Sequence, residues 1–190
     1  MTEHEKMLSG APFNSRDPEL LARLTQARDL LSTYNATGAG EIDMRRTVLT
    51  RLLGHCGPGV WVEPPFQCDY GEQISLGDRV FINFNCVILD ANRVEIGADT
   101  VVGPGVHIYA TEHPLAARDR VIRNEQQAGY AVTSRPVTIG ARCWIGGGAI
   151  VTAGVTIGDG TTIGAGSVVT ESVPAAVLAA GNPCRVIRSL

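Results

Sequence analysis

The chain has 190 residues, of which 44% are hydrophobic and 18% are charged, and this composition fits one folded domain. A net charge of −3 excludes the strongly basic surface of a nucleic-acid-binding or acidic-membrane-binding protein. The five cysteines are odd in number and lie far apart, unlike a disulfide framework or a zinc site. No apolar N-terminal stretch and no run of about 18 apolar residues is present, so we expect a cytoplasmic protein.

Residues 1–60 have the pattern of a helical segment. Asp17 is a plausible N-cap, and Pro18 stands at the first helical position, where its missing N–H costs nothing. Apolar residues then recur at helical spacing to about Tyr34, and a second helix is predicted from about Glu41 to Leu53. The paired prolines that follow exclude a helix, so residues 61–73 are interpreted as an extended bridge.

From residue 74 to residue 173 the dominant period is six. Neither the helical period of 3.6 nor the strand period of two produces it, whereas a short strand followed by a corner does. One aliphatic side chain of each unit is then expected to point inward. These residues are Leu76, Ile82, Ile88, Ile96, Val102, Ile108, Ile139, Ile145, Val151, Ile157, Ile163 and Val169.

Glycine follows most of these aliphatic residues but never the third of each group of three, which adds a period of 18 to the period of six. Three faces per turn follow, and the sequence predicts a triangular prism whose coils stack at about 4.8 Å. Four coils are predicted, at residues 76–91, 96–111, 139–154 and 157–172.

The repeat is interrupted twice. A small corner insertion lies near Ala91–Asn92, and a long polar loop spans residues 112–136, with charged residues such as Arg118 and Glu125 that will not pack on a core. A long loop within a compact repeat is typical of a functional segment. Residues 174–190 form a C-terminal tail.

Several stretches of the chain strongly resemble the maltose, galactoside and nodulation-type sugar O-acetyltransferases. The resemblance covers nearly the whole chain and rests on WVEPPFQCDYG, NFNCVILD, PGVHIYATEHP, AAGNPCRVIR and the repeats from PVTIGARCWIGGG to GAGSVVT. It implies a left-handed parallel β-helix preceded by helices, assembled as a homotrimer with active sites between subunits. It also implies acetyl-CoA as co-substrate, a small-molecule hydroxyl acceptor and no metal.

Acyl transfer to a hydroxyl requires a base near neutral pH, and histidine is the natural choice. Of the four histidines, His113 stands where the second predicted coil gives way to the long loop. Position alone leaves open a solvated loop histidine or one bonded to the backbone. The resemblance in the His113–Pro114 motif implies that His113 is the catalytic base.

A run of three glycines, Gly146–Gly148, follows the repeat residue Ile145. Its residues allow close backbone approach, and the resemblance implies that the Gly147 N–H stabilises the oxyanion. Glycines that only turn a corner remain the alternative, although three in succession exceed what the repeat needs.

The resemblance assigns acceptor binding to Asp17, Asp69, Asn83 and, with less support, Asp90. Asn83 also fits an asparagine ladder inside the β-helix, and Asp17 also fits a helix cap. The resemblance implies coenzyme binding for three small residues, one tryptophan and two C-terminal arginines. The arginines suit the phosphates of the coenzyme, whereas the tryptophan equally fits a role in covering a prism face. These residues are Trp144, Gly147, Ala165, Thr170, Arg185 and Arg188.

Three departures from the family bear on substrate choice. Glu171 stands where relatives commonly carry lysine, Phe81 where some carry tyrosine, and the loop after His113 is several residues longer. The xenobiotic acetyltransferases use a related prism, so an antibiotic or another hydroxylated small molecule is the second acceptor class, although the two N-terminal helices favour sugars. A non-catalytic trimeric scaffold also remains open, whereas a γ-type carbonic anhydrase lacks three suitably placed histidines.

Overall fold

Three helices precede the prism in the computed structural model, which describes residues 1–123 and 128–190. They are α1 (Glu3–Ser9), α2 (Pro18–Asn35) and α3 (Ile42–Leu52), with the short strand β1 (Phe13–Asn14) between the first two. Asp17 caps α2 as predicted, since its Oδ1 accepts from the Glu19 N–H at 3.0 Å. Among the described residues, no helix is apolar and long enough to span a bilayer.

Helix α1 is not among the predicted elements. It has seven residues, too few for a periodic apolar signal, and is fixed locally by a capping box between Thr2 and Glu5. Its one buried residue, Met7, packs in a cluster with Phe13 and Tyr70, so the N-terminal segment is anchored to the body of the protein.

Three coils of parallel strands precede the long loop, and each contributes one strand to each of three sheets. Coil 1 contains β2 (His55–Cys56), β3 (Trp61–Val62) and β4 (Phe66–Cys68). Coil 2 contains β5 (Ile74–Leu76), β6 (Phe81–Ile82) and β7 (Cys86–Leu89). Coil 3 contains β8 (Val94–Ile96), β9 (Val101–Val102) and β10 (His107–Tyr109).

The long loop contains strands of its own. They are β11 (Thr111–Glu112), β12 (Val121–Arg123) and β13 (Ala128–Ser134), with a single 3₁₀ turn at Ala117–Asp119. Strand β13 pairs antiparallel with β11, with β12 and with the N-terminal strand β1. The loop therefore joins the N-terminal segment to the prism. Residues 124–127, including Glu125, lie outside the described residues.

The prism resumes after the loop. Coil 4 contains β14 (Val137–Ile139), β15 (Trp144–Ile145) and β16 (Ile150–Val151), and coil 5 contains β17 (Thr156–Ile157), β18 (Thr162–Ile163) and β19 (Val168–Val169). A partial sixth coil follows. Val173 pairs with Ile157 of coil 5, and β20 (Val177–Ala180) pairs with β18. Strand β20 also pairs antiparallel with β21 (Arg185–Ser189).

The prediction of four coils is wrong, because the prism has five complete coils and part of a sixth. The inward residues of coil 1 are Cys56, Val62 and Cys68, which are in register with those of coil 2 and keep the spacing of six. Two of them are cysteines, so the aliphatic signal is lost there. Residues 61–73, interpreted as an extended bridge, therefore include β3 and β4 of coil 1.

The predicted inward aliphatic residues form the core. All twelve are at most 2% exposed, and each lies directly above its counterpart in the neighbouring coil. Repeated burial of such side chains, each worth about 1.5–3 kcal/mol, stabilises the stack.

At the corners where glycine follows an inward residue, the neighbouring coil occupies the space of a side chain. A Cβ built on Gly97 would lie 2.5 Å from the Ala141 nitrogen, and one on Gly146 would lie 2.5 Å from the Ala165 nitrogen. Real Cβ atoms do not approach backbone this closely, so at these two corners only glycine allows the coils to stack at hydrogen-bonding distance.

A buried carboxylate holds the corner that follows coil 1. The Asp90 side chain is fully buried, and its oxygens accept from the N–H groups of Asp69 at 3.0 Å, Tyr70 at 2.8 Å and Gln73 at 3.3 Å. Burial raises the pKa of Asp90 to about 7, against the opposing effect of these N–H donors.

Gly97→Ala is expected to destabilise the protein by about 1–3 kcal/mol, because the backbone of coil 4 must shift to admit the methyl group. Gly40→Ala is the matched control, since a Cβ at Gly40 has no atom within 4 Å. Thermal unfolding of both variants measures the difference. Equal midpoints would contradict close stacking at this corner.

Asp90→Asn is expected to remove a pH dependence of stability. With a pKa of about 7, native Asp90 retains a proton that the unfolded chain releases near pH 4, so its contribution to stability falls as pH rises between these values. The stability of the parent relative to the variant should decline by up to about 1.4 kcal/mol per pH unit in this window. Urea unfolding from about pH 4.5 to 7 measures it, and parallel curves would contradict the raised pKa.

Candidate active site

A cavity of about 390 Å³ lies between β1, the long loop and coils 1 to 3. Side chains from the N-terminal segment, the prism and β13 meet there. Its lining consists of Phe13, Ser15, Asp69, Tyr70, Leu89, Ala91, Thr111, His113, Tyr130 and Val132. Two residues singled out from the sequence, His113 and Asp69, thus share one cavity.

His113 follows β11 directly, and its ring is held by strand β13. Its Nδ1 lies 2.9 Å from the Ala131 carbonyl oxygen. A carbonyl oxygen can only accept, so this contact assigns the proton to Nδ1. The lone pair then resides on Nε2, which leaves that nitrogen able to take a proton from a bound hydroxyl.

Asp69 brings a partly desolvated carboxyl group to the same cavity. Burial raises its pKa, while the charge of Arg28 opposes the shift. A carboxylate in this position can accept hydrogen bonds from an acceptor's hydroxyl groups. Asp90 lies behind it, fully buried, and its oxygens engage backbone amides, so Asp90 positions the backbone of Asp69 rather than facing the cavity.

Asp17 lies just outside the cavity lining. It is two residues from the lining residue Ser15, is half-buried, and uses Oδ1 to cap α2. The capping role that the sequence offered as an alternative is therefore present.

Asn83 is not among the residues that line the His113 cavity of the same chain. It lies at the corner between β6 and β7, where its Oδ1 accepts from the Phe84 N–H at 2.8 Å. The neighbouring Phe84 side chain is 47% exposed, so this corner presents an apolar surface to its surroundings.

The glycine run forms a corner of coil 4. Gly146 donates to Ile163 O and Gly148 donates to Pro104 O, whereas the Gly147 N–H meets no backbone carbonyl within the described residues. A Cβ on Gly147 would lie 3.1 Å from Pro104 O, which is tighter than ordinary contact. The corner therefore contains one backbone donor without a backbone partner among the described residues, which is a group that an oxyanion site could use.

The other residues expected to bind coenzyme lie on the outer surface of coils 4 and 5 and on β21. Trp144, Ala165, Thr170, Arg185 and Arg188 are all exposed. Arg185 Nη2 lies 3.5 Å from Glu171 Oε1, so an acidic side chain partly occupies one of the two guanidinium groups. None of these residues lines the cavity that contains His113.

A second cavity, of about 370 Å³, lies against α3 and offers less for catalysis. It is lined by Tyr34, Arg45, Cys56 and Trp61, among others, with no histidine. Burial raises the pKa of the Tyr34 hydroxyl and of the Cys56 thiol, so neither is a base near neutral pH. Within residues 1–123 and 128–190, no three His, Cys, Asp or Glu side chains form a metal-binding group.

Sequence reasoning missed the aromatic part of the His113 cavity. Phe13, Tyr70 and Tyr130 line it, although they come from three distant parts of the chain. Of the three, only Tyr70 lies in a stretch quoted for the family resemblance, QCDYG. Phe13 and Tyr130 meet through the pairing of β1 with β13, a long-range contact without a local sequence signal.

Comparison with known proteins gives two family matches within the chain. Residues 6–57 match the maltose acetyltransferase hexapeptide capping motif, and residues 136–171 match the bacterial transferase hexapeptide with six repeats. Nodulation protein L of Rhizobium meliloti (strain 1021) is 47% identical over 185 residues, which cover 97% of each chain.

Two solved structures are similar over the whole chain. A maltose O-acetyltransferase from Clostridium difficile 630 has a TM-score of 0.94 at 41% identity, covering 100% of this chain and 98% of that one. A hexapeptide-repeat acetyltransferase from Vibrio cholerae, complexed with acetyl-coenzyme A, has a TM-score of 0.88 at 36% identity, covering 100% and 99%. The chain is therefore a member of the hexapeptide-repeat acetyltransferases that carry the maltose acetyltransferase capping motif.

Proposed function

We propose that the protein transfers an acetyl group from acetyl-CoA to a hydroxyl group of a sugar or glycoside, with His113 as general base. The observation that carries the proposal is the Nδ1 contact to Ala131 O, which leaves Nε2 as the proton acceptor in a cavity that also contains Asp69. A sugar acceptor is supported by the likeness to a maltose O-acetyltransferase, and the donor by the likeness to an acetyl-coenzyme A complex.

The reaction is a direct transfer within a ternary complex. His113 Nε2 takes the hydroxyl proton while the acceptor oxygen attacks the thioester carbonyl carbon. The Gly147 N–H donates to the oxyanion of the tetrahedral intermediate. The C–S bond then breaks, the coenzyme leaves as a thiolate, and His113 returns the proton to sulfur.

The cysteines support direct transfer over an acyl-cysteine intermediate. Cys68 adjoins Asp69, but burial raises the pKa of its thiol and leaves it un-ionised near neutral pH. Burial likewise raises the pKa of Cys86, Cys143 and Cys184. All five cysteines are unpaired, which fits a reducing compartment, and we place the enzyme in the cytoplasm.

The distribution of the expected residues supports a homotrimer. His113 and Asp69 line one cavity, whereas Asn83, Gly147 and the exposed residues of coils 4 and 5 lie elsewhere on the same chain. A complete site then requires a neighbouring subunit to bring the second group to the first. The half-exposed side chains of Phe84, Val101 and Trp144 provide apolar surface for such contact.

Acetyl-CoA is a good fit to the residues of coil 5 and the C-terminal strand. Small side chains such as Ala165 allow the pantetheine arm to run along backbone, and Arg185 and Arg188 offer guanidinium groups to the phosphates. Glu171 opposes this binding because its exposed carboxylate pairs with Arg185, so a phosphate must displace that carboxylate to reach the guanidinium group.

His113→Ala is expected to lower turnover by about 10²–10⁴-fold while the fold and coenzyme binding persist, because only the proton acceptor is lost. Acceptor-dependent thioester cleavage across sugars, glycosides and aminoglycosides measures this effect and the acceptor class together. His55→Ala is the control, since His55 is exposed on β2 and outside the cavity. Turnover of His113→Ala within tenfold of the parent would remove His113 from this role.

Sedimentation at micromolar protein is expected to give a trimer, because the glycine corner does not line the His113 cavity of its own chain. A monomer at that concentration with full activity would contradict the shared site.

A further inference from the structure

We infer that Tyr130, clamped by Arg16, is a stacking platform that binds the C–H face of the acceptor's sugar ring and so determines acceptor specificity. This inference rests on the proposed function, since it concerns the acceptor side of the same cavity.

Tyr130 is the aromatic residue of the cavity lining with free surface. Phe13 and Tyr70 also line the cavity, but they are 2% and 9% exposed and pack within the N-terminal cluster. Tyr130 is 45% exposed. A large apolar ring that remains open inside a cavity is surface that a ligand can cover.

Arg16 contacts one face of this ring. Its guanidinium carbon lies 5.6 Å from the centroid of Tyr130, which is the geometry of a cation–π contact. A cation on one face restrains the ring and leaves the other face for a second partner. Arg16 thus orders the platform before an acceptor arrives, which lowers the entropic cost of binding.

The backbone around Arg16 and Tyr130 is built to keep the two together. Strands β1 and β13 pair Asn14 with Ala131, and the Ser15 N–H donates to the Tyr130 carbonyl at 3.5 Å. The Asn14 side chain accepts from the Arg16 N–H at 3.0 Å, which forms a tight turn directly before α2. Gly129 allows this approach, because a Cβ there would overlap the Asn14 amide.

The chemistry of the cavity identifies the ligand. His113 and Asp69 can engage hydroxyl groups, while Tyr130 offers an aromatic face. A pyranose ring presents both kinds of surface at once, hydroxyl groups at its edge and C–H bonds on its faces. A linear polyol offers the same kind of hydroxyl groups but no fixed C–H face.

The test measures binding without turnover, in the otherwise intact protein carrying His113→Ala. The probes are methyl β-D-glucopyranoside and the linear polyol D-glucitol, titrated calorimetrically. Replacing Tyr130 by Ala or Leu should weaken glucoside binding by about 3–10-fold and leave glucitol binding unchanged. Tyr130→Phe should bind the glucoside like the parent, because the ring is kept, and Arg16→Gln should weaken it by about 2–3-fold.

Arg118→Ala is the matched control, since Arg118 is exposed on the same loop and absent from the cavity lining. An unchanged affinity for acetyl-CoA and an unchanged circular dichroism spectrum show that the Tyr130 variants keep the fold. Equal glucoside affinity in Tyr130→Ala and its parent would overturn the platform, as would a parent that binds glucoside no better than glucitol. The two proposals can fail separately. If Tyr130→Ala weakens glucoside binding but the protein with His113 intact acetylates no sugar, the platform is supported and the proposed reaction is overturned.

Discussion

Close stacking of backbone at the prism corners is the constraint on which the rest of the molecule depends. Each coil must donate and accept hydrogen bonds along its neighbours at strand spacing, so a corner such as Gly97 has no room for a side chain. The inward residues form the buried interior of the prism. A framework of this kind is rigid, and the regular repeat leaves little freedom to place reactive groups.

The cavity that contains His113 and Asp69 lies where the repeat is interrupted. The insertion at Ala91–Asn92 and the long loop both leave the prism beside the His113 cavity, and a buried polar network joins them. Asn92 Nδ2 donates to Ser134 Oγ at 3.0 Å, and Ser134 Oγ donates to the Met7 carbonyl. The Asn92 and Ser134 side chains both have hydrogen-bond partners, so this network connects helix α1, the loop and the prism.

The fold was largely predictable because its signal is local and repeated. Every aliphatic position at spacing six is buried, and the cap at Asp17 and the second helix lie where the pattern predicts them. Coil 1 was not predicted because Cys56 and Cys68 replace aliphatic residues there, although the spacing of six persists. Helix α1 was not predicted because its seven residues are too few to show an apolar periodicity.

The candidate site was predictable only in part. His113 and Asp69 are recognisable from short motifs, and the structure brings them to one cavity. The residue that orients the imidazole, Ala131, contributes only its carbonyl oxygen, so no side-chain pattern could identify it. The same holds for Tyr130, whose position depends on antiparallel pairing between β1 and β13, two strands more than a hundred residues apart.

In the proposed reaction, these long-range contacts would give the N-terminal segment a part in catalysis as well as in packing. The tautomer of His113 is set by a carbonyl on β13, and β13 is held on its opposite edge by β1. If β1 moved away, Ala131 would lose its restraint, and the proton on Nδ1 would no longer be fixed. The capping box of α1 and the buried Met7 anchor the segment that contains β1. If His113 is the base proposed above, they act on proton transfer indirectly, through the pairing of β1 with β13.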